Sequence, residues 1–285
     1  MSVPSRVGVV GGGTMGAGIA QVFAQAGASV VILERDVASI AAATERLDAG
    51  IARSASRFEG YDADAVRARL AVEADYGVLA GADLVVEAVP EIIGLKRETL
   101  QRVERAVSPE AWIATNTSSL PVSDLALALE RPERCFGLHF FNPVPASALI
   151  EVVVAPTTHD GVPAMTRTWA EALGKTAIVV RDAPGFASSR LGLALALEAM
   201  RMVEQGVASA DDVDAAMVLG YRHATGPLRT TDLVGLDVRL GIAEHLASTL
   251  GERFEPPAIL RRLVDEGWLG RKSGRGFFDY PGSLR

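Results

Sequence analysis

The chain has 285 residues, of which 49% are hydrophobic and 22% charged, and its formal net charge is −7. This composition is typical of a globular protein of about two domains. The acidic balance, with no block of lysine and arginine, argues against nucleic-acid binding, and no apolar run reaches the roughly eighteen residues that a membrane span requires. The single cysteine, Cys135, excludes a disulfide framework, so we expect a reducing, cytoplasmic setting.

The N-terminal pattern is a short β-rich run over Arg6–Val10, a glycine-rich turn, and an apolar segment with helical spacing. A second buried strand over Ser29–Leu33 ends at Glu34, eighteen residues past Gly16. A Gly-x-Gly-x-x-Gly turn between a strand and a helix, followed by an acid at about this distance, is typical of dinucleotide-binding folds.

Each position of the turn has a physical role in this interpretation. Gly11 permits the tight turn, Gly13 lets a pyrophosphate approach the backbone, and Gly16 lets the helix pack on the sheet. The helix N-terminus attracts phosphate. Glu34 would accept hydrogen bonds from a ribose diol and repel a 2′-phosphate, which favours NAD over NADP, although Arg35 could weaken that discrimination. We therefore predict NAD contacts along the turn, from Gly11, Gly12, Gly13, Thr14, Met15 and Gly16.

Strands continue to alternate with helices as far as residue 182. This alternation predicts a Rossmann-type, mostly parallel sheet with helices on both faces, forming an NAD-binding domain over 1–182. Strands are predicted at 71–74, 82–89, 112–116 and 177–180, with two more inside 137–154. Helices are predicted at 40–56 and 163–173, with a helix–turn–helix inside 59–69.

The remaining stretch, 183–285, contains no convincing strand. Helices are predicted at 188–204, 209–219 and 237–250, and a short one ends at 266, so we expect an all-helical C-terminal domain. The helix over 188–204 is apolar on two sides, which suggests burial at an interface. The Gly226–Pro227 pair is expected to break the chain.

Two titratable side chains stand near the ends of neighbouring strands, His139 and Glu151. If the strands pair side by side, Glu151 can hold one ring nitrogen of His139 while the other moves a proton. Alternatively, His139 is a structural histidine and Glu151 a surface charge. Ligands of such sheets sit beyond the carboxyl ends of the strands. Five polar residues are expected there, which favours a site: Glu34, Glu91, Ser118, His139 and Asn142.

Taken together, the motifs resemble the 3-hydroxyacyl-CoA dehydrogenase family, and within it the short bacterial 3-hydroxybutyryl-CoA dehydrogenases. The resemblance covers nearly the whole chain. It is carried by Gly11–Gly18, Val86–Glu91, Asn116–Ser119, Gly137–Val144, Pro184–Phe186, Thr231–Asp237 and Gly270–Phe277.

The resemblance implies reversible NAD-dependent oxidation of a (3S)-3-hydroxyacyl-CoA, with 3-hydroxybutyryl-CoA as the expected substrate, to the 3-ketoacyl-CoA. It also implies a role in fatty acid metabolism by beta-oxidation, and a homodimer formed through the C-terminal domain, which also helps to bind substrate. His139 would be the catalytic base, Glu151 its partner, and Ser118 a neighbour of the substrate hydroxyl. The family's further cofactor contacts correspond to Glu91, Lys96, Asn142 and Lys272.

This chain departs from the family pattern at three positions. Ser189 replaces an asparagine near the reacting thioester, while Gly50 and Arg57 replace a serine and a lysine that some members use toward CoA. Arg57 keeps the charge, so we predict that Arg57 and Ser189 contact substrate. The departures leave two alternatives open, a dehydrogenase of a free hydroxy acid such as a sugar acid, and a non-catalytic NAD-binding protein. No metal site is predicted.

Overall fold

The structure, a computed structural model, describes residues 2–282, and the chain forms two compact units divided between Ala183 and Pro184. The first unit is built on one eight-stranded sheet. Its strands are β1 Arg6–Val10, β2 Ser29–Leu33, β3 Leu70–Glu73, β4 Leu84–Glu87, β5 Trp112–Thr115, β6 Cys135–Phe140, β7 Leu149–Val154 and β8 Thr176–Arg181.

The strands lie in the order β3-β2-β1-β4-β5-β6-β7-β8. The first six are parallel and follow the Rossmann order, so the predicted fold class is confirmed. β7 runs antiparallel to β6, and β8 is parallel to β7. The reversal at β7 brings the start of β7 to the edge where the six parallel strands end.

Helices cover both faces of this sheet, and the burial pattern of the strands shows why. In β4, Leu84 and Val86 join one hydrophobic core, whereas Val85 joins the other, and all three are fully buried. Side chains alternate between faces along a strand, so a continuous apolar run supplies two cores. The helices of this unit are α1 Thr14–Gln25, α2 Val37–Arg57, α3 Ala63–Arg67, α4 Ile93–Ala106, α5 Val122–Ala126 and α6 Val162–Ala172.

The second unit is helical around a core of its own, and among residues 184–282 the only extended pairings are isolated bridges. Ser209 caps the N-terminus of the second helix of this unit, because its side chain accepts the backbone N–H of Asp212 at 3.1 Å. No helix within 2–282 is both long and apolar enough to cross a bilayer. The helices are α7 Ser188–Glu204, α8 Ala210–Ala215, α9 Pro227–Val234, α10 Leu236–Leu250 and α11 Ala258–Asp265.

Two local predictions differ from the structure. The chain is interrupted just before Pro227, as predicted, but Pro227 then begins the helix α9, which was not predicted, because proline is tolerated in the first turn of a helix, where its missing N–H has no partner to lose. The stretch 59–69 holds one short helix rather than two. The predicted helix over 209–219 is present as α8, continued by a wider helical turn over Ala216–Gly220. Gly235, at φ +108°, separates α9 from α10.

Candidate active site

The glycine-rich turn between β1 and α1 has the predicted geometry. Gly11 adopts φ +97°, and its N–H donates to the carbonyl of Leu33 at 2.9 Å. A Cβ at Gly16 would collide with the carbonyl oxygen of Gly11, whereas a Cβ at Gly13 would meet nothing within 4 Å. Gly13 is also the N-cap of α1 and provides no side-chain cap, so the helix N-terminus opens onto accessible space. These residues fit a bound pyrophosphate.

Glu34 lies directly over this turn. Its Oε1 accepts the backbone N–H of Gly12 at 2.6 Å, and Arg46 Nη1 donates to the carbonyl of Gly12 at 3.3 Å. A cavity of about 970 Å³ opens beside them. The volume suits a dinucleotide, and the carboxylate stands where a ribose diol would be recognised. The predicted NAD contacts that line this cavity are Gly11, Gly13, Thr14, Met15 and Glu34.

His139 and Glu151 lie opposite each other in the antiparallel register of β6 and β7. His139 Nδ1 is 2.8 Å from Glu151 Oε2, and the two side chains are 8% and 0% exposed. An ionised carboxylate can only accept a hydrogen bond, so Nδ1 carries the hydrogen and Glu151 fixes the tautomer and the ring orientation. The predicted pairing is present, and the arrangement can move a proton at Nε2, the ring nitrogen that does not contact Glu151.

Beside this pair, a second cavity of about 340 Å³ collects most of the remaining predicted residues. They come from the carboxyl ends of different strands, as expected for this fold. Asn116 links two of these ends, because its Oδ1 accepts the backbone N–H of Phe140 at 2.9 Å. The residues lining this inner cavity include Met15, Glu91, Lys96, Ser118, His139 and Asn142.

Lys96 is 1% exposed, and its surroundings are ionic. Its Nζ donates to Glu87 Oε1 at 2.8 Å and to the carbonyl of Val89 at 3.1 Å, and it lies 3.2 Å from Glu91 Oε2. Glu87, fully buried in β4, also accepts the hydroxyl of Thr115 at 2.6 Å. The ammonium and two carboxylates thus form one hydrogen-bonded network beneath the inner cavity.

Glu91 extends this network to the loop that carries Ser118. Its Oε1 accepts the hydroxyl of Thr117 at 2.5 Å and the backbone N–H groups of Ser118 and Ser119 at 3.0 and 3.2 Å. Burial alone would raise the pKa of Glu91, but the Lys96 ammonium and the hydrogen bonds from Thr117 and Ser118 outweigh it and lower the pKa below its ordinary value. Glu91 therefore holds the serine loop as an anion.

Arg57 lines a third cavity, of about 410 Å³, together with Arg46 and Arg53 of the same helix. Its opposite wall is the segment after β6, from Asn142 to Ala146. Three arginines spaced along one helix give this outer cavity a positive wall in a protein of net negative charge, which suits a polyanionic ligand.

Gly50 lines the same outer cavity, and a side chain at this position would meet Gln21. Gln21 reaches across from α1, where its Nε2 donates to Ser54 Oγ at 2.8 Å and to Tyr61 Oη at 3.0 Å. A Cβ at Gly50 would stand 2.7 Å from Gln21 Oε1.

The two remaining predicted residues belong to the second unit. Ser189 is in the first turn of α7. Lys272 lies in a short turn after α11, and its Nζ pairs with both carboxylate oxygens of Asp237, at 2.6 and 2.7 Å.

Two residues that support the site were not predicted, Glu87 and Asn116. Glu87 had a detectable signal, because an acid inside an otherwise apolar strand needs a buried partner. Asn116 stands in one of the motifs that carry the family resemblance, but no role was predicted for it.

Sheets with this strand order bind dinucleotides at their carboxyl edge, and a buried imidazole–carboxylate pair at that edge is suited to proton transfer. These features place the first unit in the class of NAD-dependent dehydrogenases. Residues 6–183 match the NAD binding domain of 3-hydroxyacyl-CoA dehydrogenase, and residues 185–280 match its C-terminal domain. The chain belongs to the 3-hydroxyacyl-CoA dehydrogenase family, which confirms the resemblance and the predicted cofactor.

Similar proteins support the same assignment over the full length. A 3-hydroxybutyryl-CoA dehydrogenase of Mycobacterium tuberculosis is 42% identical over 280 residues, covering 96% of this chain and 98% of that protein. The crystal structure of M. tuberculosis FadB2 matches with a TM-score of 0.92 and 40% identity, over 98% of this chain and 100% of that one. The crystal structure of (S)-3-hydroxybutyryl-CoA dehydrogenase PaaH1 from Ralstonia eutropha matches with a TM-score of 0.92 and 34% identity, over 98% of this chain and 99% of that one.

Proposed function

We propose that this protein catalyses the reversible oxidation of a (3S)-3-hydroxyacyl-CoA of short chain length, such as 3-hydroxybutyryl-CoA, to the 3-ketoacyl-CoA. The observation that carries the proposal is the buried His139–Glu151 pair, 2.8 Å apart, beside the inner cavity. NAD, when bound along the glycine-rich turn, supplies the acceptor for the hydride that leaves C3 of the substrate.

The roles of the chain's own residues follow from this arrangement. His139 Nε2 takes the proton of the substrate hydroxyl in the oxidative direction and returns it to the carbonyl oxygen in the reductive direction. Glu151 stabilises the imidazolium that forms. Ser118, held by Glu91, lies on the same cavity wall and is positioned to hydrogen-bond the reacting oxygen.

The further cofactor contacts are assigned to Glu91, Lys96, Asn142 and Lys272. This assignment is supported for Lys96 and Glu91 because both line the inner cavity together with Met15 of the glycine-rich turn. Lys96 is so buried that its main contribution would be to hold the Val89 carbonyl and the Glu91 carboxylate in place.

The acyl-CoA class of substrate is supported by the outer cavity. Arg57, Arg46 and Arg53 form a cationic wall that the phosphates of a CoA ester would neutralise. A small free hydroxy acid would leave most of this wall without a ligand. Ser189 is assigned to the substrate as the counterpart of the family asparagine.

A direct assay follows the oxidation of NADH by acetoacetyl-CoA. Wild-type protein should oxidise NADH in the presence of acetoacetyl-CoA, and the kcat of His139→Ala should be about 10²–10⁴-fold lower. Free acetoacetate and a series of longer 3-ketoacyl-CoA esters serve as comparison substrates. Higher efficiency with the free acid would favour the free-acid dehydrogenase, and NADH binding without turnover of any ester would favour a non-catalytic protein.

We also propose that the protein is a cytoplasmic homodimer, formed through the second unit, that acts in the beta-oxidation of fatty acids. Apolar side chains on the surface of this unit support the interface. Leu191 on α7 is 71% exposed and Val238 on α10 is 45% exposed, so both side chains are accessible to a partner surface. Light scattering of the wild type and of Leu191→Glu tests this: the wild type should be dimeric and the variant monomeric.

A further inference from the structure

Lys175 lies between α6 and β8 and is 7% exposed. Its Nζ donates to the carbonyl oxygen of Val144 at 2.7 Å and to that of Ser147 at 2.5 Å. Both acceptors belong to residues 141–148, the hairpin segment that joins β6 to β7. A single ammonium group therefore holds two backbone positions of a segment about thirty residues away in the chain, a separation of 31 residues for Val144 and 28 for Ser147.

This lysine is unusual because its charge is not matched by an acid. Burial lowers the pKa of Lys175, and within residues 2–282 no carboxylate pairs with it. Removing an ammonium group from water is costly unless strong acceptors replace the water. The two carbonyl oxygens are those acceptors, so the buried charge is compatible only with a hairpin segment whose carbonyls point toward it.

The hairpin segment contains one tight turn and is connected at its end to the strand after Lys175. The carbonyl of Pro143 accepts the N–H groups of Ala146 and Ser147, both at 3.0 Å, which forms one tight turn. Next to Lys175, the backbone N–H of Thr176 donates to the carbonyl of Ala148 at 2.7 Å. The Lys175 side chain and the Thr176 backbone thus hold the turn and the residue that follows it.

The same segment forms one wall of the outer cavity. Val144 and Pro145 line that cavity opposite the arginines of α2, and Asn142 lines both the outer and the inner cavities. Val144 also lies against α1, since a Cβ at Gly18 would stand 2.8 Å from the Cβ of Val144. Movement of the segment would therefore change the shape of the cavity without moving β6 and β7, which pair independently of it.

We propose that Lys175 is a positioning residue for substrate, whose ammonium group holds the hairpin segment in the conformation that shapes the outer cavity. The identity of the ligand, an acyl-CoA, rests on the proposed function, whereas the contact between Lys175 and the hairpin segment does not. In this arrangement His139 and Glu151 carry out the proton transfer, and Lys175 affects only the shape of the outer cavity.

Lys175→Met tests the proposal, because it keeps most of the side-chain volume and removes the charge and the donors. KM for acetoacetyl-CoA should rise about tenfold, with kcat within about threefold of wild type and the Kd for NADH within about twofold, because only binding contacts are lost. Backbone hydrogen exchange in residues 141–148 should accelerate about tenfold or more, with α1 and β1 unchanged. Lys175→Arg, which keeps the charge and donors, should recover part of both effects.

Thr166→Val is the matched control. Thr166 is 1% exposed in α6, and its hydroxyl donates to the carbonyl of Val162 at 2.7 Å. Loss of this hydrogen bond should lower the stability of the same unit without changing any contact of the hairpin segment. This variant should leave KM and exchange in 141–148 unchanged. If Lys175→Met does not fold, Lys175→Gln, which retains one amide donor group, is measured instead.

Wild-type KM and unchanged exchange in a folded Lys175→Met or Lys175→Gln variant would overturn the proposal. The proposal also fails if Thr166→Val raises KM equally, or if Lys175→Met lowers kcat instead of raising KM. Should wild-type protein fail to reduce acetoacetyl-CoA, the proposed function fails, while exchange in 141–148 still decides whether Lys175 holds the segment.

Discussion

Lys96 Nζ lies 2.8 Å from Glu87 Oε1, and the two side chains are 1% and 0% exposed. Removing one member of a buried ion pair leaves the other charge without full compensation, which typically costs about 3–5 kcal/mol. Glu87→Gln should therefore lower the free energy of unfolding by about 3 kcal/mol, near the lower end because Glu91 still faces the ammonium. Chemical denaturation measures the effect, and Glu98→Gln on the exposed face of α4 is the control.

A double variant, Glu87→Leu with Lys96→Met, removes both charges of the pair together. Because both partners are replaced by apolar groups, this variant should be more stable than Glu87→Gln alone. Equal loss in the single and double variants would mean that the two side chains do not stabilise each other.

Glu151→Gln should reduce kcat by about 10²–10⁴-fold, because a neutral amide neither fixes the Nδ1–H tautomer of His139 reliably nor stabilises the imidazolium. Titration of NADH fluorescence should show an unchanged Kd. Glu104→Gln provides the control, since Glu104 is another buried acid of this unit, 6% exposed, that accepts the backbone N–H groups of Glu130 and Arg131. A normal rate for Glu151→Gln would exclude the proposed role of the pair.

Glu34→Ala should shift cofactor preference toward NADPH. The variant removes the carboxylate that would repel a 2′-phosphate, and it leaves Arg35 and Arg46 beside the same cavity. NADH should bind about tenfold or more weakly, since hydrogen bonds to a charged group are lost. The ratio of kcat/KM values for NADPH and NADH measures the shift. Glu34→Asp, which keeps the charge, should preserve the NADH preference.

The stability of the fold should depend on the ionisation of Glu91 in acid. Its pKa is lowered from an ordinary value of 4.5, so the unfolded chain binds this proton more tightly than the folded one. The stabilisation from Glu91 is complete above pH 4.5 and is lost progressively as the pH falls through the lowered pKa. Urea unfolding of wild type and Glu91→Gln across this range should show a shallower decline in the variant. Parallel declines would contradict the assignment.

Gly50→Ser should destabilise the first unit. The new side chain would meet Gln21, which is 1% exposed and cannot move without losing its hydrogen bonds to Ser54 and Tyr61. Overpacking of this kind typically costs about 1–3 kcal/mol. Adding Gln21→Ala should restore part of the loss in a thermal unfolding experiment. A fully stable Gly50→Ser protein would show that Gln21 has another rotamer available.

Much of the sheet could be predicted because apolar runs of four to six residues recur between helical patterns, and the turn at Gly11–Gly16 is a local motif. The pairing of His139 with Glu151 could be predicted as well, since both stand on segments that form adjacent strands. These features depend on short-range pattern and on the rules of strand pairing.

The remaining features depend on contacts that no local pattern encodes. Lys175 meets backbone carbonyls rather than a complementary side chain, so nothing in its neighbours indicates the hairpin segment. The close approach of Gln21 to Gly50, 29 residues later in the chain, becomes visible only when α1 packs against α2. α9 was missed because Gly226–Pro227 can end a helix as easily as begin one.

The antiparallel register of β6 and β7 has a consequence for how this protein can change over evolution. Alternate residues of a strand face opposite sides of the sheet, so deletion or insertion of one residue in β7 before Glu151 would carry Glu151 to the side away from His139. Length changes within residues 141–148, where the ladder is absent, would keep this register but would alter the segment that lines the outer cavity. The positions of the imidazole and its carboxylate within the two strands are therefore locked together, and the segment that joins them is constrained separately, through the shape of the cavity.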